Sequence, residues 1–95
     1  MRCDEVQWSG HAIRRMFERA LSHDDVLAVL HSGERIAEYP DDTPYPSCLL
    51  LGYVGARPVH LVVAVDAYRG RCYVVTAYEP DSARWEPGFK VRRSS

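Results

Sequence analysis

The sequence predicts an α+β domain in which an N-terminal helical hairpin packs on one face of a roughly four-stranded antiparallel sheet. Two observations lead to this fold class. Apolar residues recur at helical spacing up to about residue 32, and from residue 34 onward they alternate as in strands, with turn-forming residues between the alternating runs. Helices followed by hairpin-connected strands bury one face of the sheet and leave the other face solvated or free for binding.

The first helix is predicted to begin after Ser9, whose hydroxyl can cap the first turn. Helical spacing brings its apolar residues onto one face, which we expect to be buried. The opposite face carries the polar and charged residues. The apolar set is Ala12, Ile13, Met16, Phe17 and Ala20, and the polar set is His11, Arg14, Arg15, Glu18 and Arg19.

The second helix is predicted to begin after Ser22, because Asp25 three residues later completes a capping pair. It is predicted to stop at Gly33, where a left-handed residue carries no steric penalty. Together the two helices indicate a helical hairpin. The buried stripe of this second helix is Val26, Leu27, Val29 and Leu30.

Strands are predicted over residues 34–39, 47–54, 58–66 and 71–79. Residues 40–46 contain three prolines in seven positions and are predicted to form a loop with preset backbone angles. On the third strand, Val59, Leu61, Val63 and Val65 form the better core face. That assignment places His60, together with Thr76 and Tyr78 of the next strand, on a face open to ligand. The whole chain, 1–95, is expected to be one domain with frayed ends at 1–8 and 91–95.

Composition restricts the class of protein. A chain of 95 residues with 46% hydrophobic side chains supports a single small core, and we expect neither a membrane span nor a signal peptide. Cys3, Cys48 and Cys72 are odd in number and widely spaced, so we predict three free thiols, with Cys48 and Cys72 on adjoining strands, in a reducing cytoplasm. We expect no metal site and no cofactor.

The net charge of −1 conceals an asymmetry along the chain. Residues 1–46 carry 5 basic and 9 acidic groups, whereas residues 47–95 carry 7 basic and 4 acidic groups. Eleven of the twelve cations are arginine, which pairs well with phosphate or carboxylate. The alternative explanation for this enrichment is a GC-rich genome. The charge distribution is therefore compatible with nucleic-acid binding but does not by itself indicate it.

Six short motifs follow one another in a fixed order over about residues 9–93. They are His11-Ala12-x-x-Arg15-Met16-x-x-Arg19, Tyr39-Pro40, Leu51-Gly52, Arg57-Pro58-x-His60, Val75-Thr76-Ala77-Tyr78-x-Pro80 and Trp85. In this order they resemble the domain-of-unknown-function family 4258.

The resemblance implies a remote member of the RelE and ParE toxin superfamily, whose small α/β domains cleave messenger RNA or inhibit other targets. It also implies a cognate antitoxin, for which a zinc-finger protein of the MqsA type is one candidate. One residue departs from the family pattern: Ala20 stands where glycine is common between the helices. We expect this change to tighten or extend the first helix without touching the site.

His11, Arg15 and Arg19 share one side of the first helix because they are four residues apart. Two arginines could neutralise charge on a phosphodiester while the histidine moves a proton. The alternative is a solvated face on which acidic neighbours pair the arginines, and Glu18 with Arg14 is the expected pair.

Two further groups complete the candidate site. Arg57 lies in the predicted turn before a central strand, His60 lies near the start of that strand, and Thr76 and Tyr78 lie on the neighbouring strand. A metal-free ribonuclease needs only an acid, a base and a cation. The alternative for His60 is packing in the sheet. In the C-terminal segment, Arg84, Lys90 and Arg92 alternate with aromatics as in single-strand binding sites, while Trp85 is expected to fasten the segment to the core.

Two functions remain open from the sequence. The first is a toxin of a toxin–antitoxin pair, an mRNA endoribonuclease acting without a metal on RNA or on the ribosome. Its predicted catalytic residues are His11, Arg15, Arg57, His60 and Tyr78, and its predicted RNA-binding residues are Arg19, Thr76, Arg84, Lys90 and Arg92. The second is a non-catalytic cytoplasmic module that docks a protein partner on its open sheet face or edge. The acidic pI of 6.4 counts against the first.

Overall fold

A computed structural model describes residues 1–94 and has two helices on one face of a five-stranded mixed sheet. The spatial order of the strands is β1-β5-β4-β3-β2, with β1 parallel to β5 and every other pair antiparallel. In the described residues no helix is long and apolar enough to cross a membrane. The elements are β1 (Glu5–Trp8), α1 (Gly10–Glu18), α2 (His23–Ser32), β2 (Glu34–Tyr39), β3 (Ser47–Val54), β4 (Arg57–Asp66) and β5 (Arg71–Tyr78).

The four predicted strands form, with bounds that differ from the prediction by at most one residue. The predicted sheet was nevertheless incomplete, because residues 5–8 form a fifth strand instead of a frayed end. This strand pairs parallel to β5, with Glu5 opposite Arg71 and Trp8 opposite Val74. A four-residue segment gives too short an alternation to be read locally, and its pairing partner lies more than sixty residues away in the chain.

The helices do not form the predicted hairpin, because each packs on its own part of the sheet. Helix α1 lies on β5, and α2 lies on β3 and β4. Both predicted N-caps are confirmed: Ser9 accepts from the Ala12 N–H, and Ser22 and Asp25 form a capping box. Ala20 lies between the helices with a φ of 54°, so it ends α1 in the left-handed region instead of extending the helix.

Gly33 ends α2 for a different reason from the predicted one. Its φ of −67° is not left-handed. A Cβ at this position would lie 2.4 Å from the Val29 carbonyl oxygen, so the lack of a side chain is what the site requires. Gly52 of β3 is required for the same reason, because a Cβ there would lie 2.8 Å from the Val29 side chain. Small residues thus let α2 approach the sheet closely.

The core lies between the helices and the sheet, and α1 contributes a narrower row to it than the pattern predicted. Ala12 and Met16 are buried, whereas Ile13 is 47% exposed and Phe17 is 87% exposed. Helix α2 buries its predicted stripe apart from the half-buried Leu27. The sheet contributes chiefly Leu50, Val59, Leu61, Val63, Cys72, Val74 and Ala77.

The prediction of three free thiols is wrong. Cys3 and Cys72 form a disulfide that ties the segment before β1 to β5, and Cys48 is the free, buried cysteine. Cys48 and Cys72 are not on adjoining strands either, since β4 lies between β3 and β5. A separation of 69 residues hides this pairing from the sequence. The assignment to a reducing cytoplasm rested on unpaired cysteines and loses that support.

Two segments cover the sheet face that points away from the helices. In the loop at 40–46, Tyr45 stacks on Tyr73 of β5. The segment after β5 turns back over β4 and β5, where Trp85 contacts the His60 ring edge-on with centroids 4.4 Å apart. An isolated bridge joins Trp85 to Arg92, which the prediction left within a frayed end. The sequence-based role of Trp85 as an anchor is confirmed.

Candidate functional site: an arginine-lined cleft

A cleft of about 410 Å³ opens beside the C-terminal half of β5. Helix α1 forms one wall, the end of β5 forms the floor, and the segment after β5 forms the other wall. Seven of the ten predicted site residues line it, whereas Arg57, His60 and Lys90 do not. The lining residues are His11, Arg15, Arg19, Thr76, Tyr78, Glu79, Asp81, Arg84, Trp85 and Arg92.

Local contacts of Ser9 hold the α1 wall in place. The Ser9 Oγ accepts from the Ala12 N–H at 2.9 Å and donates to the Val75 carbonyl at 2.8 Å, so one hydroxyl both caps α1 and joins it to β5. With Ala12 and Met16 turned into the core, helical spacing places His11 and Arg15 on the flank of α1 toward the cleft. The predicted grouping of His11, Arg15 and Arg19 along one side of the helix is therefore present.

A β-bulge brings Thr76 and Tyr78 onto the face opposite the helices. Val62 pairs with Thr76 and Val63 pairs with Val74, which leaves Val75 as an extra residue in β5. Strict alternation would have put Cys72, Val74, Thr76 and Tyr78 on one face. The bulge turns the first two into the core and leaves the last two beside His60, as predicted for them.

The cleft carries excess positive charge. Four arginines line it against the carboxylates of Glu79 and Asp81. Arg15 makes a long 3.6 Å pair with Glu18, which was expected to pair with Arg14 instead. Within residues 1–94, Arg19, Arg84 and Arg92 form no ion pair, and the Arg92 guanidinium lies 5.8 Å from the centre of the Trp85 ring. Three guanidinium groups are thus available to an anion.

Arg57 stands behind the cleft and supports it. Its guanidinium pairs with Glu79 at 2.8 Å and donates to the carbonyl oxygens of Arg19 and Ala20 at the end of α1. These contacts satisfy orphan carbonyls at a helix C-terminus and neutralise one of the two cleft carboxylates. Ala20 itself does not line the cleft, and its contact with Arg57 is made by a backbone carbonyl that a glycine would also provide.

The prediction that His60 lies on a face open to ligand is wrong. The side chain is 0% exposed, covered by Trp85 and by the backbone of the segment after β5. Its Nε2 lies 2.8 Å from the Phe89 carbonyl oxygen, and its Nδ1 lies 3.2 Å from the Tyr78 hydroxyl. Burial lowers the pKa of His60, which favours the neutral ring. A joint active site of His11 and His60 is not formed.

The contacts of His60 also decide where the Tyr78 proton lies. A carbonyl can only accept, so Nε2 carries the ring proton and Nδ1 accepts from Tyr78. The Tyr78 hydroxyl therefore donates away from the cleft and offers it an acceptor oxygen. Burial raises the pKa of Tyr78, which keeps that hydroxyl protonated.

Three cleft residues were missing from the predicted site, and Lys90, a predicted RNA-binding residue, lies away from the cleft. Glu79, Asp81 and Trp85 line the cleft, although only the acidic pair around Pro80 at the end of β5 could have signalled it. Lys90 instead pairs with Glu34 of β2 at 2.9 Å. In the described part of the chain, no three His, Cys, Asp or Glu side chains form a metal-ligand group.

Comparison with known proteins identifies a family without a described activity. No curated protein and no solved structure matches the chain. Kinship with the RelE and ParE toxins therefore stays a prediction. A family model described as "Domain of unknown function (DUF4258)" matches residues 8–79, which include both helices, strands β2 to β5 and the last residue of β1. Because the match spans well over half of the sequence, the chain belongs to the domain-of-unknown-function family DUF4258.

Proposed function

We propose that the cleft binds single-stranded RNA and that the protein is a metal-independent endoribonuclease of the toxin type. The observation that carries the proposal is the meeting of four arginines, a histidine and an aromatic ring around one cleft. Guanidinium groups pair with phosphate through two parallel hydrogen bonds, and aromatic rings stack on unpaired bases. The concentration of cations in this one place also answers the objection raised by the acidic pI.

The chemistry needs a group that takes a proton and a group that returns one. In such a reaction the 2′-hydroxyl loses its proton to a base and attacks phosphorus, and the departing 5′-oxygen receives a proton from an acid. His11 is exposed in the cleft and suits one of these steps. Asp81 is the cleft carboxylate that pairs with no arginine among the described residues, and it suits the other.

The arginines would stabilise the charge that develops on phosphorus. Arg15 stands on the same wall as His11, and Arg84 and Arg92 stand on the wall that carries Asp81. In this scheme a phosphodiester lies between the two walls, with the cations and the proton-transfer groups around it. Tyr78 is left as a hydrogen-bond acceptor in this scheme, and Arg57 as a positioning residue behind Glu79.

His11→Ala separates catalysis from binding. The side chain is exposed, so we expect an unchanged melting temperature, RNA affinity within about threefold of wild type, and loss of RNA cleavage with ribosomes absent or present. His31→Ala, at another exposed helical histidine outside the cleft, is the matched control. Cleavage by His11→Ala at the wild-type rate would contradict the assigned role. If the wild type binds RNA but does not cleave it, with ribosomes absent or present, the protein binds RNA without being a ribonuclease.

The second candidate, a protein-docking module, is favoured by the exposed apolar pair on α1. Ile13 and Phe17 lie one turn apart on the flank of α1 opposite to His11 and Arg15. In the toxin proposal an antitoxin covers this pair and extends across α1 to cover the cleft on the other flank. A docking module alone predicts that Phe17→Ser abolishes partner binding while overexpressed wild type leaves growth and RNA intact.

A further inference from the structure

A second cavity lies on the same sheet face as the floor of the cleft. It encloses about 420 Å³ between the loop at 40–46 and the strands β4 and β5. Apolar and aromatic side chains form most of its walls, and polar side chains come from the loop and the start of β3. The lining residues are Asp42, Thr43, Pro44, Tyr45, Ser47, Val62, Ala64, Tyr73 and Val75.

Two stacked tyrosines form the aromatic side of this cavity. The Tyr45 and Tyr73 rings are nearly parallel, with an angle of 6° between planes and centroids 5.3 Å apart. Pro44 and Pro46 restrict the backbone on both sides of Tyr45. The Ser47 hydroxyl also donates to Asp42 at 2.5 Å across the loop. A ligand that contacts Tyr45 therefore meets a side chain whose loop is already ordered.

The cavity continues the cleft along β5. Thr76 lines the cleft, and its cross-strand partner Val62 lines the cavity. Tyr73 is three residues before Thr76 on the same strand, a distance of about 10 Å at the usual rise of a strand. A single strand lying along this face of the sheet would pass from one to the other within a few nucleotides.

The two sites differ in charge, and the difference assigns their ligands. The cleft has four arginines, whereas the cavity has one carboxylate, Asp42, and no cationic side chain in its lining. Phosphate is attracted to the first and repelled by the second. An uncharged ring that stacks on aromatic side chains suits the cavity.

We infer that the Tyr45–Tyr73 cavity binds an unpaired base of the RNA strand whose phosphates occupy the arginine cleft. This inference rests on the proposed function and adds a base-binding subsite outside the residues that act on phosphate. Because every base has a π-face, the subsite contributes affinity and register along the strand.

The test compares two ligands of equal length in a fluorescence anisotropy titration. One is 2′-O-methylated RNA, which the protein cannot cleave through its 2′-oxygen, and the other is the same backbone with abasic sugars throughout. Both carry the same phosphates, so the arginines of the cleft contribute equally to each. Tyr45→Ala and Tyr45→Phe are titrated with both, and Tyr68→Ala, at a tyrosine that is 95% exposed outside the cavity, is the matched control.

We expect Tyr45→Ala to lower affinity for the base-bearing strand by about tenfold and to leave affinity for the abasic strand unchanged. Tyr45→Phe and Tyr68→Ala should bind both strands like wild type. The salt dependence of binding should stay constant across all variants, since none removes a phosphate contact. Tyr45→Leu, which retains apolar volume without a ring, should behave like Tyr45→Ala and excludes collapse of the loop as the cause.

The outcomes separate the two proposals. Salt-dependent binding of both strands by the wild type, with no effect of Tyr45→Ala on either, would overturn the base subsite and leave the arginine cleft standing. Equal losses on both strands would also overturn it, because the effect would then not involve a base. Failure of the wild type to bind either strand at 50 mM salt would overturn both proposals.

Discussion

His60→Ala should lower the free energy of unfolding by a large amount, because this histidine is a buried packing and hydrogen-bonding residue. Truncation removes a fully buried ring and leaves the Phe89 carbonyl and the Tyr78 hydroxyl without their partner. A large-to-small change in a core costs about 2–5 kcal/mol, and each unpaired polar group costs about 1–3 kcal/mol. Partial relaxation of the C-terminal segment offsets part of that sum. We therefore expect a loss of about 3–5 kcal/mol.

Such a loss is large beside the roughly 5–15 kcal/mol that stabilises a domain of this size. It corresponds to a fall in melting temperature of well over 10 °C. Two variants divide the effect into its parts. His60→Phe fills the space but still leaves the Phe89 carbonyl unpaired, so we expect a loss of about 2 kcal/mol. Tyr78→Phe removes one hydrogen bond and should cost about 1 kcal/mol.

The assay is urea denaturation followed by tryptophan fluorescence, which reports directly because Trp85 packs on the His60 ring. His31→Ala, at an exposed histidine, should leave the free energy of unfolding within about 0.5 kcal/mol of wild type. If His60→Ala unfolds at the wild-type urea concentration, the ring is not the packing residue described above. Loss of RNA cleavage in such a stable variant would return His60 to the catalytic set.

Four further predictions concern acid stability, the disulfide, Ala20 and Arg57. Burial lowers the pKa of His60 below its unfolded value near 6.5, so the contribution of the neutral histidine to stability is complete above pH 6.5 and declines as the pH falls below 6.5. A melting temperature that rises on acidification from pH 7 to pH 5 would contradict this prediction. Cys3→Ser should lower the free energy of unfolding by about 4 kcal/mol, because the bridge to Cys72 spans 69 residues, and reductant should then have no further effect on the melting curve. Ala20→Gly should raise the free energy of unfolding by about 1 kcal/mol in urea titrations, since the φ of 54° strains alanine; a loss would refute the strain. Arg57→Ala should lower the free energy of unfolding by about 1 kcal/mol, a small value because its ion pair with Glu79 is partly exposed to solvent. It should also weaken RNA binding severalfold in anisotropy titrations, because Glu79 then keeps its negative charge in the cleft. Unchanged affinity would show that Glu79 does not face the ligand.

Local signals in the sequence were sufficient for most elements of the fold. Ser9 and Ser22 cap the helices through contacts three residues away, and the prolines of the loop at 40–46 interrupt strand pairing by their own geometry. Helical spacing likewise put His11 and Arg15 on one side of α1. These features depend on residues that are neighbours in the chain, so pattern alone predicts them.

The rest depended on residues distant in the chain. Strand β1 pairs with the edge that β5 offers, and that pairing places Cys3 beside Cys72. The cleft forms only where the segment after β5 brings Arg84 and Arg92 opposite the α1 wall, and the spacing of residues in the sequence does not predict this arrangement.

His60 illustrates the boundary most clearly. Alternation correctly placed it on the sheet face away from the helices, beside Tyr78. Whether that face meets solvent was decided by a carbonyl 29 residues later, at Phe89, and by the Trp85 ring. A period-two pattern states which way a side chain points, and only the packed chain decides what covers it.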